Sequence, residues 1–155
     1  MLSSTVPVFR QITNWLLLAV WMGFIFAGST GLLSSQRTSR FLGPFLRWVH
    51  PSITDAQLKE IQYAIRKCGH VSEYAVLSVL AWNARRGGAE EKKRTFRQCA
   101  KFALVVAAIY AGTDELHQSF VPGRDAAVLD VFIDICGAAA GLFVLWCLGR
   151  WRKAW

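Results

Sequence analysis

Five carboxylates stand in or beside stretches otherwise dominated by apolar residues: Glu73, Asp114, Glu115, Asp130 and Asp134. His70 and His117 lie among them, Arg124 falls between Glu115 and Asp130, and Arg66 and Lys67 come just ahead of His70. Clustered carboxyl groups in a poor solvent acquire separated proton affinities, which supplies one acid and one base. An imidazole exchanges protons near neutral pH. A guanidinium clamps a carboxylate or a phosphate through two parallel hydrogen bonds and suits the stabilisation of developing charge. These residue types fit acid–base chemistry on a charged headgroup, or its recognition. Asp114, Glu115 and His70 are the candidate catalytic groups. Arg124, Gln118, Asp130, Asp134, Glu73, Tyr74, Ser35 and Gln36 are the candidate binding groups. Carboxylates and histidine can ligate a metal, but the spacing matches no established site, and the sequence names no cofactor. The plainer alternative is structural: Asp114, Glu115 and Arg124 lock a turn, and Asp130 and Asp134 pair with Arg124 or His70.

The rest of the chain explains why such groups matter. Of 155 residues, 54% are hydrophobic and only 18% charged, against about 25% charged in an ordinary soluble domain. That excludes a disordered chain and a water-soluble domain of normal composition, and the length allows one domain, 1–155. Net charge is +8, and the basic residues sit at the ends of apolar runs. Such placement reports membrane orientation and anionic lipid headgroups rather than nucleic acid. The four cysteines show no CxxC spacing, and Cys99, Cys136 and Cys147 lie in apolar segments where they act as small hydrophobes.

Residues 11–36 carry no charge, which is enough for one spanning helix. Arg10 ahead of this run and Ala27-Gly28-Ser29 within it loosely resemble a cleaved leader, but the run is long and bulky, and an uncleaved anchor is expected. The other uncharged runs, 74–84, 102–113 and 135–149, are shorter than the roughly 20 residues a crossing needs. Each can span only by carrying polar residues inward: His70 and Glu73, Asp114, and Asp130 with Asp134. The expected architecture is an all-α membrane protein, a bundle of four transmembrane helices over about 12–33, 66–84, 98–116 and 126–149. With both termini in the cytoplasm, eleven Lys and Arg fall inside and seven outside. Alternating direction then brings Ser29, His70, Glu73, Asp114, Glu115, Asp130 and Asp134 into one half of the membrane, whichever half that is.

Between the first two spans, Thr54-x-x-Gln57 reads as a capping box with Ile53 and Leu58 as a hydrophobic staple. The helix it opens carries an apolar stripe at Leu58, Ile61, Ile65 and Cys68 and should run directly into the second span. Before it, Phe41, Leu42, Phe45, Leu46, Trp48 and Val49 alternate with Arg40 and Arg47, which suits an amphipathic helix in the headgroup layer, an anchor or a lid. The tryptophans read as interface anchors. Pro122-Gly123 fits a type II turn between spans three and four, Asp125 is placed to cap the fourth, and Gly137-x-x-x-Gly141 permits a close helix approach.

These motifs together resemble the VanZ family. The likeness is strongest in DELHQSFVPGRDAAVLDVFIDICGAAAG, residues 114–141, and is supported by Ser34-Ser35-Gln36 and His70-x-x-Glu73-Tyr74. The family pattern carries Asn where this chain has Asp134, which adds a carboxyl group. The resemblance implies a bacterial cell-membrane protein linked to low-level resistance to the glycopeptide teicoplanin. The partners it implies are membrane lipids and a lipid-linked or glycopeptide ligand, with no nucleic acid. Three function classes fit the residues: an enzyme on an envelope amphiphile, a binding protein for a lipid, wall precursor or antibiotic, and an ion or proton pathway.

Overall fold

The computed structural model describes residues 5–30, 35–87, 94–122 and 127–153. These form five helices and no strand: α1 (Thr5–Ser29), α2 (Ser35–Val49), α3 (Asp55–Arg86), α4 (Phe96–Gln118) and α5 (Val128–Trp151).

Local sequence sets the helix starts. Thr54 caps α3 through a full capping box: its hydroxyl accepts from the Gln57 N–H, and the Gln57 side chain accepts from the Thr54 N–H. The helix then runs 32 residues without a break, so the expected continuity is observed. Thr95 and Gln98 repeat the same box at the head of α4, a signal the hydropathy pattern passed over. Thr54→Ala is expected to cost about 1 kcal/mol. Faster hydrogen exchange at the Gln57 and Leu58 amides would register it. The head of α5 departs from expectation. Its cap is Ala127, which makes no side-chain cap bond, and Asp125 lies outside the described residues, as does Gly123 of the expected turn.

Tertiary contacts fix the helix directions. Asn14 bonds to the Asn83 carbonyl and Trp21 to the Glu73 carbonyl, so α1 and α3 are antiparallel. Trp82 reaches Phe96 while Tyr74 meets Tyr110, so α3 and α4 are antiparallel. Along α5 the partners on α3 advance in step, Lys67 with Asp130 and His70 with Asp134, so these two helices run parallel. The four long helices therefore alternate in direction.

Small residues let them approach. A Cβ built on Gly137 would lie 2.5 Å from the Val71 carbonyl oxygen, and one on Gly141 2.5 Å from that of Ala75. The expected close approach at these two glycines is thus made by α3. The Ser78 hydroxyl lies 2.9 Å from both the Ala75 and the Ala138 carbonyl oxygens and ties the same pair of helices. On α4, Cys99, Ala103, Ala107 and Ala111 form a fully buried line at four-residue spacing. The next step along that line is Glu115, also buried. On α5 the line Leu142, Ala138, Asp134, Asp130 changes from apolar to acidic toward the same end. The shared seam of three helices is apolar at one end and ionisable at the other.

The exterior has the opposite character. Val8, Phe9, Leu16, Val20 and Phe24 of α1 are exposed, as are Val105 and Ile109 of α4 and Phe132, Phe143 and Val144 of α5. A water-soluble monomer rarely shows contiguous apolar surface on this scale. Val8–Ser29 and Val128–Trp151 are long and apolar enough to cross a membrane. The tryptophans divide: Trp48 and Trp151 are exposed, as anchors should be, but Trp82 is buried and Trp21 packs against the core. The stripe on the first half of α3 also faces outward, with Ile61, Ile65 and Cys68 exposed. Leu58 faces α2: a Cβ built on Gly43 would lie 3.7 Å from its Cδ2. An exposed Arg47–Asp55 ion pair at 2.5 Å joins the same two helices and adds little.

Candidate functional site

The ionisable end of the seam is built by three helices. Residues 67, 70, 73 and 74 recur on one face of α3, and Lys67, His70, Glu73 and Tyr74 occupy it. The last turn of α4 supplies Asp114, Glu115 and Gln118, all buried. The first two turns of α5 supply Asp130 and Asp134, one turn apart on one face and both buried.

Two charge pairs join α3 to α5. Lys67 pairs with Asp130, with both side chains largely shielded. One turn deeper, His70 Nδ1 stands 3.3 Å from Asp134 Oδ1, and Asp134 is 0% exposed. Glu73 and Asp114 are close enough to His70 for their charges to act on it. Glu115 is likewise within reach of Asp130, Asp134 and His70. The candidate residues on all three helices thus occupy one region.

On α4, the i, i+4 relation of Asp114 and Gln118 becomes a bond: Gln118 Nε2 donates to Asp114 Oδ2 at 2.9 Å. Glu115 turns the other way. Its Oε2 accepts from the Ala127 N–H at 2.9 Å, which places a carboxylate at the start of α5. The amide dipoles of a helix favour negative charge at that end, so Glu115 supplies from a neighbouring helix the cap that Ala127 lacks.

Several polar atoms in this region have no hydrogen-bond partner among the described residues: Asp114 Oδ1, Glu115 Oε1, both Asp134 carboxylate oxygens, the Tyr74 hydroxyl and His117 Nε2. A buried polar group without a partner costs about 1–3 kcal/mol. Such atoms are what water or a ligand would satisfy. The first helix closes one side. Trp21 Nε1 donates to the Glu73 carbonyl at 3.0 Å, Tyr110 donates its hydroxyl proton to the Met22 carbonyl at 2.5 Å, and the Phe26 ring lies 4.5 Å from His117. Among the described residues, no three His, Cys, Asp or Glu side chains converge closely enough to hold a metal ion.

Against the sequence reading, Asp114, Glu115, His70, Gln118, Asp130, Asp134, Glu73 and Tyr74 are brought together. Arg124 lies outside the described residues, as do the side chains of Ser35 and Gln36. The pairing of Asp134 with His70 is one of the two considered. Asp130 takes Lys67 rather than His70, while its expected pairing with Arg124 lies outside the described residues. That partner was available in the sequence, because Lys67 and His70 share a helical face at the same interval, within one residue, as Asp130 and Asp134. Trp21 carried no signal at all, since its role is a bond to a backbone carbonyl.

No curated protein and no solved structure matches the chain. The family model described as VanZ/LLP1 matches residues 14–149, which take in the whole polar cluster, and by that match the chain belongs to the VanZ/LLP1 family.

Proposed function

We propose that this VanZ-family protein crosses the bacterial cell membrane with four helices, α1, α3, α4 and α5, with both termini in the cytoplasm and α2 in the outer headgroup layer. On this reading the polar cluster is a chamber in the outer half of the membrane. It acts on an envelope amphiphile, a lipid-linked wall precursor or a lipid headgroup, and through that activity is linked to resistance to glycopeptides such as teicoplanin. Asp114 and Glu115 serve as acid and base with His70. Arg124 takes an anionic group, and Gln118, Asp130, Asp134, Glu73, Tyr74, Ser35 and Gln36 line the site.

The observation that carries the reading is the set of buried carboxylate oxygens and the Tyr74 hydroxyl left without partners in a protein whose outside is apolar. Ionisable groups in a membrane are costly, by about 2.5–3.5 kcal/mol each on insertion scales, and ordinarily mark function. A non-catalytic binding protein for the same class of headgroup is the second reading. It is favoured by the bonds that already occupy one oxygen each of Asp114 and Glu115.

Mass spectrometry of envelope lipids and wall precursors tests the proposal, in cells carrying the wild type, Asp114→Asn or Arg124→Ala. A modified species present only with the wild type supports catalysis. Identical profiles, with loss of protection proportional to loss of ligand binding, support the binding protein. Asp114→Asn is expected to reduce turnover at least about a hundredfold, the usual contribution of a positioned acid or base, while leaving the helical content unchanged.

A further inference from the structure

The buried acceptors of the chamber point to the chemistry of its ligand, on the reading that it is a headgroup site. Five carboxyl groups gather there: Glu73, Asp114, Glu115, Asp130 and Asp134. Lys67 is already paired with Asp130, the titratable His70 stands beside Asp134, and Glu73 has an interaction of its own. The carboxylate oxygens with no hydrogen-bond partner are Asp114 Oδ1, Glu115 Oε1 and those of Asp134, of which Oδ1 faces His70 Nδ1 at 3.3 Å. Asp114 Oδ1, Glu115 Oε1 and Asp134 Oδ2 stand without donors, and a cationic donor would satisfy them.

Tyr74 gives an independent indication. Its side chain is 0% exposed, and its hydroxyl makes no hydrogen bond among the described residues. The phenol lies close enough to Asp114, Asp134 and Glu73 to feel their charges. A phenol oxygen can accept from a cationic donor while its own proton goes to a carboxylate. Lys67 shows what fits: the chain's own primary ammonium group is accommodated at the edge of the cluster, largely shielded and held by Asp130. An ammonium group carries three donors and no acceptor, which suits separate carboxylate oxygens. Convergence of three acids on a bare metal ion is not found among the described residues.

We infer that the chamber binds the primary ammonium group of an amphiphile, with Asp114, Asp134 and the Tyr74 hydroxyl as its acceptors. Phosphatidylethanolamine is the simplest probe with that group. Full-length protein in detergent is presented with short-chain phosphatidylethanolamine, its N-acetyl derivative or phosphatidylcholine, and bound lipid is counted by native mass spectrometry. The amine should bind about tenfold more tightly than the N-acetyl form, as expected for one charge-assisted hydrogen-bond set. Tyr74→Phe keeps the ring and should lower that preference, and Asp134→Asn should abolish it. Glu60→Gln, at an exposed position on α3, should leave it unchanged. Butylamine competing as well as the lipid supports the ammonium site but overturns the amphiphile, assigning the amine to a small free molecule. Equal binding of amine and N-acetyl lipid overturns the inference, as does displacement by sodium or magnesium at equal concentration. A preference that survives both Tyr74→Phe and Asp134→Asn overturns it too. The envelope profiles under the proposed function are read separately. A wild-type-specific product combined with no amine preference would reject the ammonium site and keep the chamber's chemistry.

Discussion

Gly141→Ala is expected to force α3 and α5 apart, and Gly137→Ala to do the same one turn away. The added methyl of Gly141→Ala would sit 2.5 Å from the Ala75 carbonyl oxygen and 2.8 Å from its Cα. Carbon atoms prefer roughly 3.5–4.0 Å. The obstacle is backbone, so no side chain can swing aside and the helices themselves must move. Overpacking of this kind costs about 1–3 kcal/mol per site, and both positions belong at the upper end. The displacement also stretches the Lys67–Asp130 and His70–Asp134 pairs, which bridge the same two helices. Gly112→Ala is the control. A Cβ there meets nothing within 4 Å, and alanine in place of an exposed helical glycine is worth about 0.5–1 kcal/mol. Unfolding free energies of the three variants, in one detergent or bilayer, should therefore differ in sign. Equal effects at positions 112 and 141 would refute the close packing.

The second large effect concerns Lys67. Lys67→Met leaves Asp130 shielded from water with its partner gone, and breaking a buried pair by removing one member costs about 3–5 kcal/mol. The double variant Lys67→Met/Asp130→Leu removes both charges and should recover most of that loss, since a well-packed apolar pair is often as stable as a buried ionic one. The coupling in this cycle measures the pair, and little of it should be screened by salt. The same proteins separate structure from function. A stable double variant that has lost ligand binding places Asp130 in the site; one that keeps binding makes the pair a strut. An additive cycle would mean that the two groups do not interact.

Much of the fold could be read from the chain because its signals are local. Thr54 and Gln57 specify the start of α3 by backbone bonding alone, and no residue between them and Arg86 breaks the helix. The convergence of the acids followed from alternation of direction, which needs only the number of helices. The Gly137 and Gly141 spacing announced a close neighbour, although not that α3 would be the one. What could not be read is partner choice. Asp130 is joined to Lys67 across 63 positions of sequence, and that selection depends on the relative rotation of α3 and α5. The cap that Glu115 gives to Ala127 arises between helices, so no cap rule within a segment finds it. Ile61, Ile65 and Cys68 keep the helical spacing read from the sequence and stand exposed, because spacing alone gives the face and not what covers it.

On the proposed crossing by four helices, the length of α3 has a consequence for where water can enter. Its 32 residues measure roughly 48 Å at 1.5 Å per residue, against about 30 Å of acyl chain. The surplus, roughly 18 Å, equals the rise from Asp55 to Lys67. A crossing that places this excess on the side of the acids sets Lys67 at the hydrocarbon boundary, with His70 and Asp134 one turn below it. In that crossing, bilayer thickness would govern hydration of the carboxylates. A thin membrane leaves them wet, and a thick one draws them under the acyl chains unless α3 tilts.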